Sequence, residues 1–501
     1  MDLILELIDL IDSYKAQNIQ VLQNPFVTAN KYSSFYKGVI EGKIRSDADA
    51  AKMLYNSGPD DYKYKKLKYR FRQRLLNSIL FIDVNKPNYT DIQKAYYNCY
   101  KDWATVRVLL GKGAKKSAVS IAEKTLRHSL KFEFTELSCN IARVLRLYFA
   151  TTEGNKRQFN KYNELYQQQL EILQAEAFAE SLYGDLLIDF VATRAARSEK
   201  LDKAVAYTKQ LEPYLNSIFS YNFLFFAYNT IVAKYEIAND YENVILYSDK
   251  AFQLLSQKVF NLKVQIFPFA FKVFSSYIKL EQYDKASQYI QACQEVLDDG
   301  SVNWFKFHQV YFIYLMHTAC YREASEVVQL VVTHNRMKYQ TKGTKEIWRI
   351  NGAYAYCMQH WRNSTPVEDN RSNGFKLGKF LNELPVFSKD KRGLNISIII
   401  VQILILLQRK KYNRIIDLIS SLERYSSRYL RKNETYRSNC FIKMLISLSR
   451  ASFSLPAVQR YSEKYFQKLS EVPLRQASQS LSIEIVPYER LWSCILDELG
   501  G

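Results

Sequence analysis

Tyr283-Asp284-Lys285-Ala286 is one copy of a short word that also reads Leu201-x-x-Ala204, Tyr241-x-x-Val244 and Tyr321-x-x-Ala324, at steps of 40, 42 and 38 residues. Fainter copies precede it at Lys115-x-x-Ala118 and Phe159-x-x-Tyr162. Another follows at Tyr412-x-x-Ile415, 91 residues beyond Tyr321. A period of this size marks a solenoid, in which each helix pair buries its apolar face only against its neighbours. The word therefore predicts an α-solenoid of stacked antiparallel helix pairs.

Composition points the same way. The chain has 501 residues, too many for one compact core. Its 15 Gly and 10 Pro make about 5% of the chain, where ordinary usage is roughly 12%. Glycine and proline end and bend elements, so their scarcity predicts long helices joined by short polar turns. The expected fold class is all-α. The longest apolar run, Ile396 to Leu407, is interrupted by Ser397 and Gln402. It falls short of the roughly 20 residues a membrane span needs, and reads as a helix buried in the array. Met1 to Tyr14 carries Asp2, Glu6, Asp9 and Asp12, unlike a secretory leader. Leu3, Leu7, Ile8 and Ile11 there share one face of an amphipathic helix. The seven cysteines are scattered without a Cys-x-x-Cys pair, which fits buried thiols in a reducing, cytoplasmic setting.

Three regions follow. Residues 1–95 lack the word. They hold a helix from about Asp47 to Asn56, a break at Ser57-Gly58-Pro59, and a long helix opened by Asp60 and Asp61. Residues 96–335 carry the repeats. Residues 336–501 form a less regular helical extension, with a loop expected near Asn363 to Asn373.

Residues 265 to 297 give the fullest copy. A first helix carries Phe267, Ala270, Phe274 and Tyr277, a turn follows at Leu280-Glu281-Gln282, and a second helix carries Tyr283, Ala286, Ile290 and Cys293. This resembles a tetratricopeptide repeat, with Tyr277 in the place of the family's late first-helix tyrosine. Ala286 takes the place of its small second-helix residue. The family's Leu-Gly pair and closing proline are missing, and the period is longer than the family's ~34. The resemblance implies a scaffold that holds a protein or peptide in a groove. The run from Phe387 to Arg392 and the tail from Val486 to Trp492 are similar to bacterial helical-repeat proteins and imply no particular activity.

The net charge of +20 is concentrated. Residues 62–74 contain seven Lys or Arg and no acid; residues 371–392 contribute six minus two, and residues 409–437 nine minus three. On the first helix, Leu67, Phe71, Leu75 and Ile79 must face the core. Lys63, Lys66, Arg70 and Arg74 then line one flank, and Lys65, Lys68 and Arg72 the other. In the third window Arg424, Arg428 and Arg431 share a face, with Lys432 beside them and Tyr425, Tyr429 and Tyr436 interleaved. Such stripes suit an acidic partner or backbone phosphates, and also an ordinary solvated helix face.

Motifs for chemistry are missing. Cys357-x-x-His360 has no second pair nearby and reads as packing. Gly111-x-Gly113-x-x-Lys116-Ser117 has Lys115 where a phosphate loop requires glycine, so it reads as a helix start. No Gly-x-Ser-x-Gly elbow or His-Glu-x-x-His helix occurs. The sequence thus predicts a non-catalytic scaffold without cofactor or metal, binding an acidic protein or peptide. The alternative is a nucleic-acid-binding protein gripping phosphates through its basic helices.

Overall fold

A computed structural model describes residues 1, 3–5, 7–8, 31–79, 84, 89–191, 197–260, 262–363, 380, 394–429, 436–476 and 484–500. Among these residues the regular elements are helical and there is no β-strand, so the fold is all-α. The first helices are α1 (Lys31–Ile40), α2 (Asp47–Tyr55), α3 (Tyr62–Ile79), α4 (Asp91–Gly111), α5 (Lys115–Lys131), α6 (Thr135–Thr151) and α7 (Lys156–Val191). Next come α8 (Arg197–Leu211), α9 (Tyr221–Ala238), α10 (Tyr241–Ser256), α11 (Lys263–Lys279), α12 (Tyr283–Glu295), α13 (Val302–His317) and α14 (Tyr321–Thr333). The last are α15 (Lys342–Asn363), α16 (Leu394–Gln408), α17 (Tyr412–Tyr429), α18 (Tyr436–Arg450), α19 (Leu455–Ser470) and α20 (Tyr488–Gly500). Two compact units result: residues 1–174 with 259–261, and residues 175–258 with 262–501.

Helices pack chiefly on those next in sequence: α4 to α6 in the first unit, and α8 to α20 in the second, each on the next. One turn device recurs between them. Glu133, Asn239, Glu281, Ala319 and Lys410 are left-handed, with φ of 55, 58, 59, 59 and 52°. Each stands two positions before the first residue of α6, α10, α12, α14 or α17. The following residue donates its N–H five residues back, as Gln282 does to Tyr277 O at 2.9 Å and Cys320 to Leu315 O at 2.9 Å. This closure satisfies carbonyls that a helix end leaves open. Glycine usually supplies the left-handed residue, and here Gly113, Gly154 and Gly300 do so two positions before α5, α7 and α13, with φ of 82, 59 and 65°. Five of these eight turns use a residue other than glycine.

The repeated word has a structural meaning. Lys115, Tyr241, Tyr283, Tyr321 and Tyr412 are the first residues of α5, α10, α12, α14 and α17. Their partners three positions on (Ala118, Val244, Ala286, Ala324 and Ile415) are all fully buried, as is Ala204. A residue placed there, one turn into the helix, is positioned to face the preceding helix, and in four of these five helices it is Ala or Val.

Ile396 to Leu407 forms most of α16 and is buried, as expected. It sits in one apolar cluster with α13, α15, α18 and α20. α20 packs on α16, which is not its neighbour in sequence. The second unit thus departs from a purely nearest-neighbour array. Near residue 1, Ile4, Leu7 and Ile8 are buried, but Leu3 is exposed rather than on the core face. Ile11, and the loop expected near Asn363 to Asn373 beyond Asn363 itself, lie outside the described residues. Among the described residues no helix is long and apolar enough to cross a membrane.

Candidate functional site

The best-defined candidate is α3. Asp61 precedes it and accepts from the Tyr64 N–H at 2.9 Å, capping the first turn. Tyr64, Leu67, Phe71 and Leu75 are buried, and Ile79 is half-buried. Phe71 stacks on Phe35 of α1 with ring centres 4.7 Å apart. This core stripe fixes the rotation of the helix and sets both flanks.

Lys63, Lys66, Arg70 and Arg74 are exposed together on one flank, where the sequence placed them. The other flank is partly neutralised. Lys65 Nζ is 2.7 Å from Asp60, and Lys68 Nζ is 2.7 Å from Asp47 on α2. Asp47 also accepts from the Tyr64 hydroxyl at 2.5 Å. Burial works against the Asp47 charge, yet hydrogen bonds from Lys68 and Tyr64 outweigh it and hold the carboxyl below its usual range. The Arg74 guanidinium lies 4.2 Å from the Tyr32 ring centre. Among the described residues no carboxylate pairs with Lys63, Lys66, Arg70, Arg72 or Arg74.

Between the flanks runs a ridge that the sequence reading did not single out. Tyr62 is 74% exposed and Tyr69 63%, with Leu76 behind them. Their seven-residue spacing, two helical turns each, was the available signal. The exposed face of α3 therefore carries two solvent-exposed aromatic rings bordered by five cations, with the Lys66 ammonium 5.8 Å from the Tyr62 ring centre.

The third basic window fares differently. Arg424 is exposed on α17, its Nε donating to Ser420 O at 3.3 Å. The Arg428 side chain, and Arg431 and Lys432 altogether, lie outside the described residues, as does nearly all of 371–392. Arg437, the last residue of that window, is buried. Its Nη2 lies 2.6 Å from Glu484 Oε1 and 2.8 Å from Glu489 Oε2, and its Nη1 donates to Val472 O at 2.6 Å.

Arg437 belongs to an internal polar cluster of the second unit that sequence reasoning missed. His317, almost fully buried at the end of α13, lies 3.0 Å through Nε2 from the Glu484 carbonyl oxygen. A carbonyl only accepts, so Nε2 carries the proton and Nδ1 accepts from the Tyr283 hydroxyl at 3.2 Å. Burial pushes His317 down to about 4 and Lys279 down to about 8, the latter opposed by the Glu484 charge. Arg490 donates to Met316 O at 3.1 Å, and Glu281 accepts from Leu474 N at 3.2 Å. Perturbed groups of this kind mark active sites or structural ion networks. Here the Arg437 donors are taken up by protein acceptors, so the cluster ties Leu469, Val472, Leu474, Glu484, Glu489 and Arg490 to α13, α18 and the α11–α12 turn.

Cys357 is fully buried on α15, and the His360 side chain lies outside the described residues. Gly111 and Gly113 form the α4–α5 turn, and Lys116 and Ser117 lie in the first turn of α5. The described residues contain no group of three or more His, Cys, Asp or Glu able to hold a metal ion. Comparison with protein-family models, with curated proteins and with solved structures finds no match to this chain.

Proposed function

We propose that this chain is a non-catalytic, cytoplasmic scaffold of tetratricopeptide-like helix pairs, and that it holds an acidic protein partner through the exposed face of α3. The observation that carries this reading is the set of five cations (Lys63, Lys66, Arg70, Arg72 and Arg74) on one helix without a carboxylate partner among the described residues. Like charges three or four residues apart on a helix repel by a few tenths of a kcal/mol per pair. A row of them is costly in isolation, and an anionic partner relieves that cost. The fully buried Ala118, Val244, Ala286 and Ala324 in the first turns of α5, α10, α12 and α14 support the repeat reading.

Binding of a labelled acidic peptide, followed by anisotropy, tests it. Lys63→Glu, Lys66→Glu, Arg70→Glu and Arg74→Glu together should abolish binding and leave the helical circular dichroism unchanged. Unchanged binding by that variant would clear α3 of the role.

A second reading has its own observation. Exposed rings at Tyr62 and Tyr69 between basic flanks suit single-stranded nucleic acid, where stacking is worth about 1–3 kcal/mol per base. Five phosphate contacts would give a log–log salt slope near −3.5 for a single strand. A mixed oligonucleotide that is not retained at about 50 mM salt removes this reading.

A further inference from the structure

A second cationic feature lies in the second unit, apart from α3, and encloses space. α17, α18 and α19 border a half-open cavity of about 540 Å³, within the roughly 300–1,000 Å³ typical of small-molecule sites. Its floor is Ile442, Ile446 and Ser447, all buried, with Tyr461 and Tyr465 on the α19 side. Its rim carries Lys443, Lys464 and Arg450 against a single carboxylate, Glu423. Glu423 is 3.7 Å from Arg450, a loose and exposed pair. The Lys443 and Lys464 ammonium groups lie 5.5 and 4.9 Å from the centre of the same Tyr465 ring. Neither lysine has a carboxylate partner among the described residues. Two like charges from different helices thus lie near one ring among the residues lining an apolar-floored cavity. That arrangement lowers the free energy of an anion between them and of a flat apolar body below.

We propose that this cavity binds a small organic anion of about mononucleotide size, its acid group between Lys443 and Lys464 and its ring on Ile442, Ile446 and Tyr461. The inference does not depend on α3 or on its partner.

The test uses the full chain and two fluorescent probes of one shape. Anilinonaphthalene sulfonate carries the acid group, and N-phenylnaphthylamine lacks it. The folded protein should bind the sulfonate one-to-one. Lys443→Glu with Lys464→Glu should weaken that binding about tenfold or more, a change of roughly 1.4 kcal/mol, while leaving the neutral probe unaffected. Lys443→Gln with Lys464→Gln should give a smaller loss in the same direction, and serves if the charge reversal disturbs folding. The glutamate variant of α3 should bind the sulfonate as the parent does. No binding of the sulfonate by the parent, unchanged binding by both 443/464 variants, or equal losses for both probes would overturn the proposal.

Discussion

Lys410 holds a backbone conformation that costs an L-residue about 1–2 kcal/mol, and its side chain points to solvent. Lys410→Gly removes that strain but adds about 0.4–1 kcal/mol of unfolded-chain entropy. Strain relief is the larger effect, so a net gain of about 0.5 kcal/mol is expected from urea unfolding. Gly113→Ala should do the reverse, since a Cβ there meets no neighbour and only the positive φ opposes it. His317 is the second residue with a measurable consequence. Its folded pKa near 4 lies below the ordinary value near 6.5, so the unfolded chain binds the extra proton between those limits. The contribution is intact above about pH 6.5, falls as the pH drops toward 4, and is then constant, with a total near 3 kcal/mol. Urea midpoints for the parent and His317→Gln should converge across that window. A constant gap would show that the imidazole titrates normally.

At the scale of the element, Ala286 is fully buried one turn into α12, where the helix meets its predecessor. Ala286→Leu should cost about 1–3 kcal/mol through overpacking. Exposed Ser287, next to it, should accept leucine within about 0.5 kcal/mol. Arg437 on α18 is a harsher case. Arg437→Ala strands Glu484 in the interior and should cost about 3–5 kcal/mol in thermal or urea unfolding. These two positions also show what a sequence discloses. Ala286 was legible because hairpin packing repeats a small residue at the same place in α5, α10, α12 and α14. The buried role of Arg437 was not legible because its partner lies 47 residues away, and charge windows register only neighbours. Similarly, the sequence did not name the partners of Lys65 and Lys68, which the capping segment and α2 supply as Asp60 and Asp47. The Tyr62 and Tyr69 ridge was visible as spacing, but only the rotation of α3 about Phe71 decides that it faces outward.

At the scale of the whole molecule, the second unit is closed by tertiary contacts that a run of identical hairpins would lack. Tyr488, Leu491, Trp492 and Ile495 of α20 are buried, and each contributes about 1.5–3 kcal/mol. Their sum rivals the 5–15 kcal/mol that stabilises an ordinary domain. A chain ending at Ser470 should therefore lose cooperative unfolding of the second unit and turn insoluble. Loss of helicity equal only to α20, with the remainder unfolding as before, would mean that the array is additive. The all-α class was legible because glycine scarcity and helical spacing are local properties. The closure was not, because it depends on pairs far apart in sequence.

His317 reaches Glu484 across 167 positions, and this has a consequence during synthesis. At about 5–20 residues per second, a ribosome needs roughly ten to thirty seconds to travel that distance. For that interval α11 to α13 have emerged while the segment that seals their ends has not yet been translated. The nascent second unit passes through a stage with an open, wettable seam, which is the stage at which a holding chaperone has most to grasp.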